Sequence, residues 1–88
     1  MAYRVEVTPY ALRQLSALPG DVQRRLRPRI EALADHPRPR GIEKLRGEAD
    51  IYRLRVGDYR VVYQLHDDRL LVLIIRIGHR REVYRGLT

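Results

Sequence analysis

Arg53, Arg55, Arg60 and Arg80, with His79 and Tyr84 close by in sequence to the last of them, are the side chains of this chain best suited to binding and acting on a phosphate. A guanidinium presents a fork of N–H donors that binds phosphate oxygens bidentately. It does not release its proton at useful pH, so it stabilises the charge of a pentavalent phosphorane and leaves proton transfer to another group. Tyr84 supplies a phenol, which becomes a base only where neighbouring cations lower its ordinary value of about 10. His79 supplies an imidazole, whose ordinary titration lies nearer neutrality. Cleavage of RNA by its own 2′-hydroxyl needs little more than alignment, one base and charge stabilisation. The plainer readings are a C-terminal aromatic packed on a sheet for Tyr84 and a solvated loop residue for His79.

The composition agrees with an anionic partner. Eighteen basic residues stand against eleven acidic ones, a formal charge of +7, and every basic residue but Lys44 is an arginine. Such a surplus on 88 residues favours nucleic acid, an acidic protein or an anionic membrane surface. Without cysteine there is no disulfide, zinc–thiolate or thiol-nucleophile chemistry. His36, His66 and His79 have no metal-ligand spacing and no carboxylate pair is evident, so neither metal nor cofactor is expected. The longest apolar run, Leu70 to Ile75, has six residues, far short of the roughly 20 of a membrane helix. With no apolar signal core at the start of the chain, a cytoplasmic location is expected.

The elements that must position the arginines follow from periodicity. Residues 3–7 alternate as a first strand. Thr8 and Pro9 form an N-cap and first helical residue, with Ala11, Leu12, Leu15 and Leu18 at helical spacing up to Pro19-Gly20. Asp21 is the expected cap of a second helix, whose stripe is Val22, Leu26, Ile30 and Leu33. Pro28 falls opposite that stripe and predicts a kink, not a break. After the connection 36–41 the period becomes 2. Tyr52 to Val56, Tyr59 to His66 and Arg69 to Ile77 are three strands, ended by Gly78, and Glu82 to Tyr84 is a short extended tail. One domain over residues 1–88 is expected: an α+β fold with an N-terminal strand, a helical hairpin and a three-stranded antiparallel meander, the helices on one face of one sheet.

A two-residue turn at Gly57-Asp58, of the type II′ kind that favours glycine first, sets the register of the arginines. Val56 then pairs with Tyr59, Arg55 with Arg60 and Arg53 with Val62. Like charges directly opposite each other are unfavourable unless an anion lies between them. The alternative is that Asp50, Glu48 or Glu82 neutralises the cluster. A second two-residue turn at Asp67-Asp68 would pair Arg60 with Ile75, carry Ile75 and Ile77 along the arginine face, and deliver His79, Arg80 and Arg81 to the same end. Lys44 and Arg46, before Gly47, read either as phosphate contacts at the mouth of the site or as a solvated turn. Val62, Leu71, Leu73 and Ile75 would form an apolar patch that a partner or the C-terminal tail could cover.

The runs Lys44 to Gly47, Tyr52 to Tyr63, Ile77 to Arg80 and Glu82 to Arg85 resemble the RelE/ParE superfamily of toxins, with the RelE branch the closer match. The resemblance implies a toxin of a toxin-antitoxin pair, a ribosome-dependent endoribonuclease that cuts mRNA in the A site and is neutralised by a RelB-like antitoxin. That complex would be a heterotetramer, and the toxin would also contact 16S rRNA. By resemblance Arg53 and Arg55 fall on two basic strand residues, lysines in the best-known member. Arg60 falls on the arginine that orients the scissile phosphate, Arg80 on the arginine of the transition state or leaving group, and Tyr84 on the activator of the 2′-hydroxyl. Lys44, Arg46, His79, Arg81 and Arg85 are the expected RNA contacts. With arginines at 53 and 55, acid–base work shifts to Tyr84 or His79. The other readings on this fold are a ParE-like inhibitor of DNA gyrase and an inactive member that only binds its antitoxin.

Overall fold

A computed structural model describes residues 2–45, 47 and 50–81. The chain runs β1 (Arg4–Val7), α1 (Pro9–Ser16), α2 (Gly20–Ala32), β2 (Ile42–Lys44), β3 (Ile51–Val56), β4 (Tyr59–His66) and β5 (Leu71–His79). The strands form one sheet in the order β1-β5-β4-β3-β2, with β1 parallel to β5 and the other neighbours antiparallel. The architecture is the expected α+β one, with two additions. β2 is an edge strand just after the connection, in a stretch to which the sequence assigned no element, because three residues are too few to show a period of 2. β5 also continues through Gly78 to His79.

The Thr8 hydroxyl accepts the Ala11 N–H at 3.2 Å, with Pro9 opening α1. α2 starts two residues earlier than a cap at Asp21 would give: Gly20 is its first residue, no side chain caps it, and Asp21 sits in the first turn. A carboxylate there still interacts favourably with the helix dipole. Pro28 lies inside an unbroken α2. Val22, Leu26, Ile30 and Leu33 are buried as a stripe, and Ala11 and Leu15 are buried from α1, whereas Leu12 is exposed. They pack on Tyr52, Leu54, Val61, Tyr63, Leu65, Val72, Ile74 and Ile77, so the core lies between the helices and one face of the sheet.

The first hairpin has the expected register: Val56 pairs with Tyr59, Arg55 with Arg60 and Arg53 with Val62. Gly57 takes φ +61° while Asp58 does not share the left-handed region, as a type II′ turn requires. The second hairpin differs. Asp67–Arg69 form a turn of 3-10 helix and Leu70 takes φ +50°, so four residues connect β4 to β5 where two were expected. A bulge opposite the Val62/Tyr63 step then leaves Ile75 without a partner in β4. Together these shift the pairing by three positions: Arg60 faces Gly78, not Ile75, and Ile77 pairs with Val61 in the core. The Ile77 N–H, beyond the end of β1, donates instead to Gln14 Oε1 of α1 at 2.8 Å. The apolar patch expected on the opposite face is largely enclosed: Val62 and Leu71 are buried, Leu73 and Ile75 half-buried. Among the described residues no helix is long and apolar enough to cross a membrane.

The segment 36–41 is fixed at several points. Arg38 donates to Asp67 Oδ2 at 2.9 Å and to the Tyr52 hydroxyl at 3.2 Å, and lies over the Tyr52 ring. The Tyr3 hydroxyl donates to Asp67 Oδ1 at 2.6 Å, and the buried Tyr63 hydroxyl to the Pro37 carbonyl at 2.7 Å. The Arg38 guanidinium, and then the Tyr3 hydroxyl, hold the Asp67 carboxyl below its usual range. A lowered folded-state value contributes stability in full above the unfolded carboxylate's value of about 4 and loses it as pH falls through the folded one. Wild-type Tm should therefore drop more steeply below about pH 4 than that of Asp67→Asn, measured by thermal melts across the acid range. Tyr63→Phe, which strands the Pro37 carbonyl, should lower unfolding free energy by about 1 kcal/mol with the urea m-value unchanged.

Candidate anion-binding site

The face of the sheet away from the helices carries Arg53 and Arg55 from β3 and Arg60 from β4. Arg60 is the only charged side chain among the buried described residues, 7% exposed. Its guanidinium turns back on the hairpin, donating from Nη1 to the carbonyls of Gly57 and Tyr59, each at 2.9 Å. Burial lowers its pKa from the ordinary arginine value, as do the positive fields of Arg55, Arg53 and Arg80, while Asp58 acts in the opposite sense. Four guanidiniums therefore share one electrostatic neighbourhood. Arg80 is brought into it by its own backbone, whose N–H donates to the Asp58 carbonyl at 2.8 Å and ties the end of β5 to the β3–β4 turn. Opposite Arg60 on β5 stands Gly78, which adds no side chain to that face.

Of the acids expected to neutralise the cluster, only Asp50 lies among the described residues. Asp50 is 3.8 Å from Arg38, on the pinned loop, and Glu48 and Glu82 lie outside the described residues. The carboxylate that does enter is Glu43, on β2 directly across from Arg53 and ion-paired with it. Sequence reading missed it because β2 itself was not legible. Among the described residues no carboxylate pairs with Arg55, Arg60 or Arg80.

The other expected site residues divide. His79 pairs with Tyr59, on the helix side of the sheet, and their rings meet edge to face with centroids 5.6 Å apart. It lines a cleft of about 380 Å³ with Gln14, Leu18 and Tyr59, so it does reach the end of the sheet where the arginines lie but on the opposite face. Arg81 follows in an exposed turn, its N–H donating to His79 Nδ1 at 3.2 Å. Lys44 pairs with Tyr52 and so projects from the helix side of the edge strand, not among the guanidiniums. Arg46, Tyr84 and Arg85 lie outside the described residues. Among the described residues there is no group of three or more histidine or acidic side chains able to hold a metal ion.

A buried, carbonyl-anchored guanidinium with three more around it gives this α+β protein a concentrated positive face of the kind that suits an anionic partner. The family model described as the ParE toxin of type II toxin-antitoxin systems matches residues 5–84, and the chain belongs to that family. Within it the relatives are RelE toxins. The chain is 35% identical over 88 residues to the mRNA interferase toxin RelE of Escherichia coli, covering 96% of this chain and 92% of that protein. It is 33% identical over 94 residues to the toxin RelG of Mycobacterium tuberculosis, covering 97% and 99%. The toxin fold in the archaeal RelE–RelB complex from Pyrococcus horikoshii superposes with a TM-score of 0.81 at 32% identity, over 93% of this chain and 99% of that one.

The Arg55–Arg60 opposition should be measurable without any ligand. Arg55→Gln should raise stability by about 0.5 kcal/mol at low ionic strength. In about 1 M salt, where the screening length falls to about 3 Å, that gain should shrink, as denaturant melts at the two salt concentrations would show.

Proposed function

We propose that this protein is a RelE-type toxin: an endoribonuclease that cleaves mRNA in the A site of the translating ribosome and is held inactive by a RelB-like antitoxin. The observation that carries the reading is the buried Arg60, surrounded by Arg53, Arg55 and Arg80 and anchored to the turn that sets their register. The RelE relatives and the RelE–RelB complex support it. It would act in the cytoplasm, where mRNA and ribosomes meet.

In the proposed reaction the 2′-oxygen attacks the adjacent phosphorus and the bond from phosphorus to the 5′-oxygen breaks. The 2′-hydroxyl proton passes to a base, and the departing 5′-oxygen takes up a proton from water. The products are a 2′,3′-cyclic phosphate and a 5′-hydroxyl. Arg60 holds the scissile phosphate, and Arg53 and Arg55 neutralise its developing charge. Arg80 stabilises the leaving group, and Tyr84 is the base. With Arg60 already spending Nη1 on two carbonyls, its remaining N–H groups are held in place, and such preorganisation is the main source of electrostatic stabilisation. No metal ion takes part. Lys44, Arg46, Arg81 and Arg85 serve as outer RNA and ribosome contacts, and His79, packed against Tyr59 on the helix side, is not the base.

The gyrase-poison reading has the matched family's name in its favour, but poisoning a topoisomerase by binding gives no role to four arginines gathered about the buried Arg60. In a translation extract with a reporter mRNA, Arg60→Ala and Arg80→Ala should each reduce cleavage by about 100-fold or more, with circular dichroism and antitoxin binding unchanged. Product ends should be 2′,3′-cyclic phosphates. Cleavage sensitive to a chelator at constant ribosome integrity would overturn the metal-free step.

A further inference from the structure

Arg55 and Arg53 also belong to a second feature. Where β3 runs past the start of β2, a cleft of about 460 Å³ opens at the sheet edge. Arg29 from the last turn of α2, Arg40 from the pinned loop, and Arg53 and Arg55 from β3 line it, with Glu43 the one carboxylate. The helix dipole accounts for a cation at Arg29, but not for Arg40 or Arg55 converging on the same space. Among the described residues, Arg29, Arg40 and Arg55 make no ion pair and no side-chain hydrogen bond. Like charges gathered in this way on supported elements are stabilised when an anion joins them. Arg40 is held in position because Arg38, two residues before it, is tied to Asp67 and Tyr52, and Gly41, at φ +84°, turns the chain into β2.

We infer that this edge cleft is a second phosphate subsite, which takes the sugar-phosphate backbone of single-stranded RNA next to the scissile position and leads it round the sheet edge from Arg55 to Arg40 and Arg29. The inference rests on the RNA-cleaving reading for the identity of its ligand. Arg55 is the joint, since it faces Arg60 on one side and lines the cleft on the other. The lining favours RNA over an acidic protein segment. An amphipathic peptide needs apolar anchoring points, and Ile42 is the sole apolar side chain on the cleft wall. Glu43 gates the subsite by holding Arg53.

The test uses a short, fluorescently labelled 2′-O-methyl RNA, which cannot be cleaved, in anisotropy titrations over a range of salt concentrations. The double variant Arg29→Ala/Arg40→Ala should weaken binding roughly tenfold and lower the slope of log affinity against log salt by about 1.4, for two lost phosphate contacts. Arg13→Ala/Arg24→Ala removes the same charge from exposed helix positions off the cleft and should change the slope little. Glu43→Gln should tighten binding. Equal losses in the two double variants, or an unchanged slope in the cleft variant, would overturn the inference. So would loss of antitoxin affinity with RNA affinity intact, which would assign the cleft to an acidic protein. Because the probe is uncleavable, the result stands apart from the nuclease reading, which fails separately if wild-type protein leaves translated mRNA intact.

Discussion

Two positive charges face each other across a tight turn, and much of the molecule is arranged around that opposition. Arg55 and Arg60 are paired by a hairpin whose register cannot slip, because a shift of one residue would turn Leu54, Val56 and Val61 out of the core. Gly57 makes the turn possible with its positive φ, and the Gly57 and Tyr59 carbonyls hold the Arg60 guanidinium. Burying a cation beside three others is unfavourable by itself. The hydrophobic burial on the other face of the same strands supplies the stability that lets it persist, as strain and unfavourable charge at functional sites generally do.

The two faces of the sheet therefore divide the work. One is a continuous apolar layer under α1 and α2, and the other presents arginines. Contacts between the layers transmit position from one to the other. Gln14 of α1 completes the hydrogen bonding of β5 just beyond the bulge, fixing the strand whose end carries Arg80. Arg38 and Tyr63 tie down the loop that leads into β2, and β2 brings Glu43 to Arg53. Removing one such contact would leave the fold in place and move a guanidinium, a small displacement to which phosphate geometry is sensitive.

The first hairpin, both helices and the stripe Val22, Leu26, Ile30 and Leu33 were legible in the sequence, because turn chemistry and hydrophobic period are local signals. The pairing of Arg55 with Arg60 was legible for the same reason. The second hairpin was not. Asp67-Asp68 resembles a two-residue turn, but Leu70 enters the left-handed region, an uncommon choice for a leucine, and the bulge at Ile75 has no sequence mark of its own. That miscount placed Ile77 on the arginine face, whereas it lies in the core. β2, and with it Glu43 as the partner of Arg53, was hidden because an edge strand of three residues carries no period, and only its pairing with β3 defines it.

Primer extension on a defined mRNA in programmed ribosomes, with a ribosome-free control of the same RNA, tests most directly whether this arginine face acts on RNA. Cuts should be confined to the A-site codon, present with ribosomes and absent without them. Intact mRNA in both settings, from folded protein that still binds its antitoxin, would contradict that role.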